Sequence, residues 1–270
     1  MHGVTVRQDL DWCIEDILRA CGLAAWNFDH LISSQKAFHA YHYLLDDSPY
    51  IALNDGFEEY LTRRRGMSST CVVQAQRKLR KLDREVGPVR FELHTGDSSV
   101  FDRLVEWKRA QLGRPSMFEL DWVVPVLRRI AYTDNGPRFR GLLSALYAGD
   151  DLVAVHLGIH AGPVVASWIP TYSQKFARFS PGLLIHLELA RSVSAQGVRR
   201  IELGRGTNQL KRGLASGARP VAIGRVDACP SARVVRKRWA RVKAGIRESP
   251  RYRFLYEIYR MCRRRMSTSA

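Results

Sequence analysis

The chain has little cysteine, and none of it forms a pattern. Cys13, Cys21, Cys71, Cys229 and Cys262 are odd in number, scattered, and include no C-x-x-C pair. That spacing argues against a disulfide framework and against a zinc site, and it fits a reducing compartment. A basic and then apolar leader is also missing, because Met1 is followed by a polar, acidic segment. There is no G-x-S-x-G turn, no serine or cysteine triad, no short-period repeat and no low-complexity tract. One run, residues 152–174, lacks Asp, Glu, Lys and Arg and is long enough to span a bilayer. Two histidines, a His160-Ala-Gly-Pro163 break and many β-branched residues make it instead two buried strands joined by a hairpin. The expected location is the cytoplasm.

Acidic residues are scarce towards one end. The formal charge of +17 is concentrated in residues 204–270, which hold 18 Lys/Arg against 3 Asp/Glu, while residues 1–203 hold 25 against 23. A nearly neutral body therefore carries a basic C-terminus suited to phosphate-bearing ligands, nucleic acid or an anionic membrane face. Within that end, Val235, Trp239, Val242 and Ile246 recur at helical spacing with basic residues between them. Tyr252, Leu255, Tyr256 and Tyr259 repeat the pattern. Residues 231–270 thus read as basic amphipathic helices, whose stripe either docks on the body or meets anionic lipid at the inner face of the membrane.

Apolar periodicity predicts a helix over residues 7–21, ended by Gly22, then short strands at 23–28 and 50–53. Asn54 or Asp55 caps a helix, or a broken pair, that continues to Gly87-Pro88. From there the predicted order is strand 89–94, helix 98–112, helix 120–132, strands 138–148, 152–160 and 163–170, helix 180–196, strand 199–203, helix 208–214 and strand 220–226. Hairpins followed by one crossover helix imply a mixed α+β sheet. Ser180 followed by Pro181 is a favourable helix start, and the N–H groups of such a start are a candidate phosphate cradle.

That order is the layout of the GNAT acyltransferase fold. Within it, Phe176-Ala-Arg-Phe-Ser-Pro-Gly-Leu-Leu-Ile-His-Leu-Glu-Leu-Ala190, followed by Gly197-Val-Arg-Arg-Ile-Glu-Leu-Gly-Arg-Gly-Thr-Asn-Gln-Leu-Lys-Arg212, resembles the GNAT branch named after CelD, a cellulose-biosynthesis protein. Val153-Ala-Val-His-Leu-Gly158 fits the same pattern. The branch is similar in fold to Fem-type aminoacyl transferases. The resemblance implies an α+β, GNAT-like, mostly antiparallel sheet flanked by helices over residues 55–230. It also implies that residues 1–54 are the remnant of a preceding GNAT-like unit, which a homodimer would replace. The implied activity is acyl transfer from acetyl-CoA or another acyl-CoA, without a metal, to a sugar or amine precursor in exopolysaccharide or cell-envelope biosynthesis. Two alternatives stand beside it: a Fem-type transferase using aminoacyl-tRNA, and a degenerate scaffold of a polysaccharide synthase complex.

Direct attack on a thioester needs a base, an oxyanion stabiliser and a route for the thiolate to leave, but no enzyme nucleophile. The Ser180-Pro181-Gly182 turn is the candidate pyrophosphate site, with Arg178 adding charge. Lys211 is there to hold phosphate or to be solvated. His156 is a candidate general base or a hydrogen-bonded core residue. Glu202 is a base or sugar anchor, or else the ion-pair partner of Arg205 or Lys211. Trp168 and Tyr172 are candidate sugar-stacking groups, Trp168 having core packing as its alternative, and Arg205 is a candidate substrate contact. In two places the motif departs from the branch. Glu202 stands for its aspartate, and Leu210 replaces the tyrosine before Lys211, so a phenol is lost.

Overall fold

The computed structural model describes residues 4, 6, 7, 10–66, 70–113 and 115–228. Cys229, Cys262 and the basic amphipathic segments at 231–270 lie outside the described residues. The chain divides into two compact units, one holding residues up to 46 with those from 220 onward, the other holding 47–219.

In the first unit, helix α1 (Ile14–Ala20) is followed by β1 (Ala25–Ile32), a 3-10 turn at Lys36–Tyr41 and the start of β2 (His42–Ala52). β1 runs antiparallel to β8 (Gly217–Asp227), with Trp26 opposite Val226. Ile14, Leu18, Phe28, Phe38, Tyr41 and Val226 form the core of this unit. Phe38 is its hub, meeting Trp26 and Phe28 edge-on at 5.5 Å between ring centroids, a geometry favoured by the ring quadrupole. β2 is longer than the four residues read from the sequence.

The second unit begins in β2. The long helix expected before Gly87 is a broken pair, α2 (Phe57–Gly66) and α3 (Thr70–Glu85). Then come β3 (Val89–Glu92), α4 (Ser98–Leu112), α5 (Val123–Ala131), β4 (Arg140–Ala148), β5 (Asp151–Ala161), β6 (Val164–Tyr172), α6 (Pro181–Ser194), β7 (Arg200–Glu202) and α7 (Gln209–Leu214). Strand order is β2-β7-β6-β5-β4-β3. Of the pairings described, only β6 with β7 is parallel. The uncharged run is the β5–β6 hairpin, as its composition implied. The fold is mixed α+β and GNAT-like.

Alternation along these strands builds two cores. On one face Leu142, Val153, Val165, Ile201 and Leu203 pack under α3 and α6. On the other, Leu143, Val155, Leu157 and Ile169 pack under α4 and α5. Gly141 allows the closest helix approach, since a Cβ there would lie 2.0 Å from the Ile130 carbonyl oxygen. β4 and β5, covered on both sides, are buried almost throughout. β7 is short, and this shortness makes the site.

Candidate active site

β6 and β7 are paired only from Val164–Arg200 to Ala166–Glu202. Beyond Ala166 the two strands no longer share a ladder, and β6 runs on to Tyr172 paired with β5 on its other side. At that point β6 bulges: Leu157 faces Ile169 and Gly158 faces Ser167, so Trp168 is the extra residue. A bulge leaves one residue of the ladder unpaired and re-aims its side chain. Trp168 is 45% exposed, so the core-packing alternative does not hold for it.

From the end of β6 a 3-10 turn, Gln174–Phe179, leads into α6. Pro181 takes the first helical position, as expected, but Ser180 does not cap with its side chain. Its φ of 55° is the only positive value of a non-glycine among the described residues. This left-handed conformation turns the hydroxyl away from the helix, where it accepts a hydrogen bond from Lys78 Nζ. The strain, of order 1–3 kcal/mol, is typical of ligand clamps. The N–H groups of Leu183 and Leu184 both bond to Ser180 O, at 2.9 and 3.3 Å. The cradle is therefore narrower than expected, and Gly182 N–H with the Lys78 ammonium are its donors. A Cβ on Gly182 would sit 3.9 Å from the Tyr172 ring and 4.0 Å from Leu210 Cδ2. Tyr172, Gly182 and Leu210 thus meet at one point.

Behind that point runs a buried hydrogen-bond chain. His186 Nδ1 lies 2.5 Å from Gly182 O, His186 Nε2 3.1 Å from Ser167 Oγ, and Ser167 Oγ 3.0 Å from His156 Nε2. A carbonyl oxygen only accepts, so His186 is protonated on Nδ1 and accepts the Ser167 hydroxyl proton at Nε2. Ser167 then accepts from His156 Nε2–H, which leaves His156 Nδ1 bare and unpartnered. Gly158 makes room for this ring, since a Cβ there would lie 2.6 Å from His156 Cε1. His156 is fully buried, and burial, with the neighbouring His186, lowers its pKa to about 3. Burial lowers that of His186 too, opposed by the bond to Gly182 and reinforced by the Lys211 charge. His156 is a neutral core histidine, linked to the site through Ser167.

Lys211 turns inward. Its ammonium donates to Gly204 O and Arg205 O at 3.0 and 2.9 Å, tying down the glycine-rich turn. Asn208 caps α7 by accepting from Lys211 N–H at 2.8 Å. Arg205 is exposed and presents its carbonyl to Lys211. Arg178 lies on the 3-10 turn, 3.2 Å from Glu85 and over the Phe179 ring. Glu202 is 5% exposed, with Oε1 2.6 Å from Arg200 Nε and 3.8 Å from Arg219 Nη1. Its ion-pair partners among the described residues include these two arginines, which the sequence reading did not name.

The structure brings Tyr172, Ser180, Pro181, Gly182 and Lys211 around the end of β6 and leaves His156 inside. Sequence reading missed Lys78, Ser167 and His186. His186 had a signal, one helical turn after Gly182 on the apolar face. Lys78 had none, being one cation in a basic helix 102 positions away.

A family profile described as "Acetyltransferase (GNAT) domain" matches residues 72–212, just over half of the chain. No curated protein sequence matches. Among solved structures, the C-terminal domain of a putative lysylphosphatidylglycerol synthetase from Agrobacterium fabrum superposes with a TM-score of 0.55 at 11% identity, over 86% of this chain and 75% of that one. The structure of L-PGS from Bacillus licheniformis gives 0.54 at 12%, over 83% and 76%. A conserved protein of unknown function from Bacteroides thetaiotaomicron gives 0.52 at 10%, over 77% and 72%.

Proposed function

The chain belongs to the GNAT acetyltransferase-domain family, and from that premise we propose that it is an acyl-CoA-dependent N- or O-acyltransferase. The observation that carries this reading is the parting of β6 from β7 after three paired residues, with a bulge and the start of α6 just beyond. Such a gap admits an extended chain alongside β6. Acyl-CoA would supply an activated thioester there. Gly182 N–H and Lys78, at the positive end of the α6 dipole, are placed to hold its pyrophosphate. The unpaired backbone at Trp168 offers a donor to the thioester carbonyl oxygen, where negative charge develops.

The acceptor's nitrogen or oxygen attacks the carbonyl carbon and gives up its proton, the C–S bond breaks, and the departing thiolate takes up a proton in exchange. Tyr172 shares the surroundings of Gly182 with Leu210, the position where the branch carries its tyrosine, and is the phenol that would give this proton. The acceptor class is a sugar or amine, and exopolysaccharide or cell-envelope biosynthesis is the setting that the CelD-like motif supports.

A second reading, aminoacyl-tRNA-dependent transfer, is favoured by the basic C-terminal end and by the fold shared with a protein named as a lysylphosphatidylglycerol synthetase. Calorimetry decides between them. Acetyl-CoA binds wild type and is lost on Gly182→Trp, whose indole fills the space beside Tyr172. Equal binding by both proteins removes the loop from the site. Binding of charged tRNA in place of acetyl-CoA selects the second reading.

A further inference from the structure

The transfer chemistry leaves one cluster on the sheet unused. Ile201 and Leu203 point into the core beneath α6, so Arg200 and Glu202 point to the opposite face. There a pocket of about 270 Å³ is lined by Tyr50, Asn54, Pro163, Arg199, Arg200 and Arg219. Arg200 stacks its guanidinium 5.9 Å from the Tyr50 ring. The one buried carboxylate against it is Glu202, and no hydrogen bond of ordinary geometry reaches either of its oxygens. Arg199 is exposed and has no ion-pair partner among the described residues. Three arginines therefore line the pocket, and the only carboxylate shown against them is Glu202, which Arg200 and Arg219 approach, so the cluster carries a net formal charge of +2.

A planar guanidinium fork matches phosphate oxygens, and a phosphomonoester carries about −1.5 to −2 near neutrality, which balances this excess. We propose that the Arg199–Arg200–Arg219 pocket binds the phosphate of the acceptor, so that the acceptor is a phosphomonoester. This rests on the acyltransferase reading. Register then sets the size of the acceptor. Ala166 pairs with Glu202 and Val164 with Arg200, so the Trp168 bulge lies two to four residues further along, roughly 7–13 Å from the pocket. That span fits a phosphate and a nucleophile at opposite ends of a molecule of glycerol- or sugar-phosphate size.

The phosphate could sit on a soluble metabolite or on a lipid, and two probes with the same headgroup separate these sources. Calorimetry on the full chain uses sn-glycerol 3-phosphate and dioctanoyl phosphatidic acid, with glycerol as the uncharged control. The expected result is binding of at least one phosphate probe, weakened about tenfold or more in the Arg199→Ala/Arg219→Ala double variant, while coenzyme A affinity is unchanged. Similar binding of both probes makes the source a free phosphate ester, and preference for the acylated probe makes it a lipid. The proposal is overturned if neither probe binds, if the variant binds as well as wild type, or if glycerol 3-phosphate simply displaces coenzyme A. Arginine-dependent phosphate binding without any coenzyme A binding would uphold the pocket and sink the acyltransferase reading instead.

Discussion

At the scale of single residues, Lys78 and Ser167 matter more than their sequence context suggests. Lys78 places a cation at the mouth of α6, held by the Ser180 hydroxyl. Replacing it in Lys78→Met should weaken acetyl-CoA binding roughly two- to tenfold, the value of a charge at a helix N-terminus, with little change in melting temperature. Unchanged affinity by calorimetry would remove it from the cradle. Ser167 is the hydrogen-bonded bridge between two buried imidazoles. Ser167→Ala strands His156 Nε2–H and His186 Nε2 without partners, and each buried orphan costs about 1–3 kcal/mol. Urea unfolding should therefore show a loss of roughly 2 kcal/mol or more. Nitrogen-15 NMR should find His186 protonated at Nδ1 and His156 at Nε2, and the reverse pattern would refute the direction of the chain.

At the scale of elements, α7 is short and depends on α2. Arg64, buried, donates to the carbonyls of Arg212, Gly213 and Ala215, while Tyr60 donates to Leu214 O. These are the acceptors that a helix C-terminus leaves without intrahelical donors. Arg64→Ala should cost about 3 kcal/mol, as loss of a charged donor to several buried acceptors does. It should also loosen the Gly204–Gly206 turn that Lys211 holds from the same helix. A loss below about 1 kcal/mol in urea unfolding would mean that water replaces the guanidinium. The strands and helices of this unit were largely legible, because their periods of two and 3.6 residues follow burial. The Arg64 contact was not legible: it joins residues 148 to 151 positions apart, and arginine on a helix reads as solvated.

At the scale of the whole molecule, pH tests the buried histidines together. Unfolded, His156 titrates near its ordinary value of 6.5; folded, burial holds it near 3. Between these values the unfolded chain binds a proton that the folded chain refuses. Stability from this group is therefore full above about pH 6.5 and is lost as pH falls towards 3, by roughly 1 kcal/mol per pH unit. His186 shifts in the same direction. Melting temperature should fall steeply between about pH 6 and 4, and His156→Gln should flatten that slope. A profile as steep in the variant as in wild type would place the acid sensitivity elsewhere. The formal charge of +17 predicts adsorption to anionic vesicles that weakens sharply between about 0.1 and 0.5 M salt. Sedimentation that is indifferent to salt would refute it.

Sequence alone determined the α+β order, the β5–β6 hairpin and the Pro181 helix start. Hydrophobic period, turn residues and a local motif are all written along the chain. Only the tertiary structure decided which side chains face which. It turned Ser180 from a cap into the partner of Lys78, buried His156 and exposed Trp168. It also gave Glu202 to Arg200 and Arg219. A one-residue bulge at Trp168 changes which face of β6 a side chain occupies, and residue order carries no mark of where a ladder slips by one.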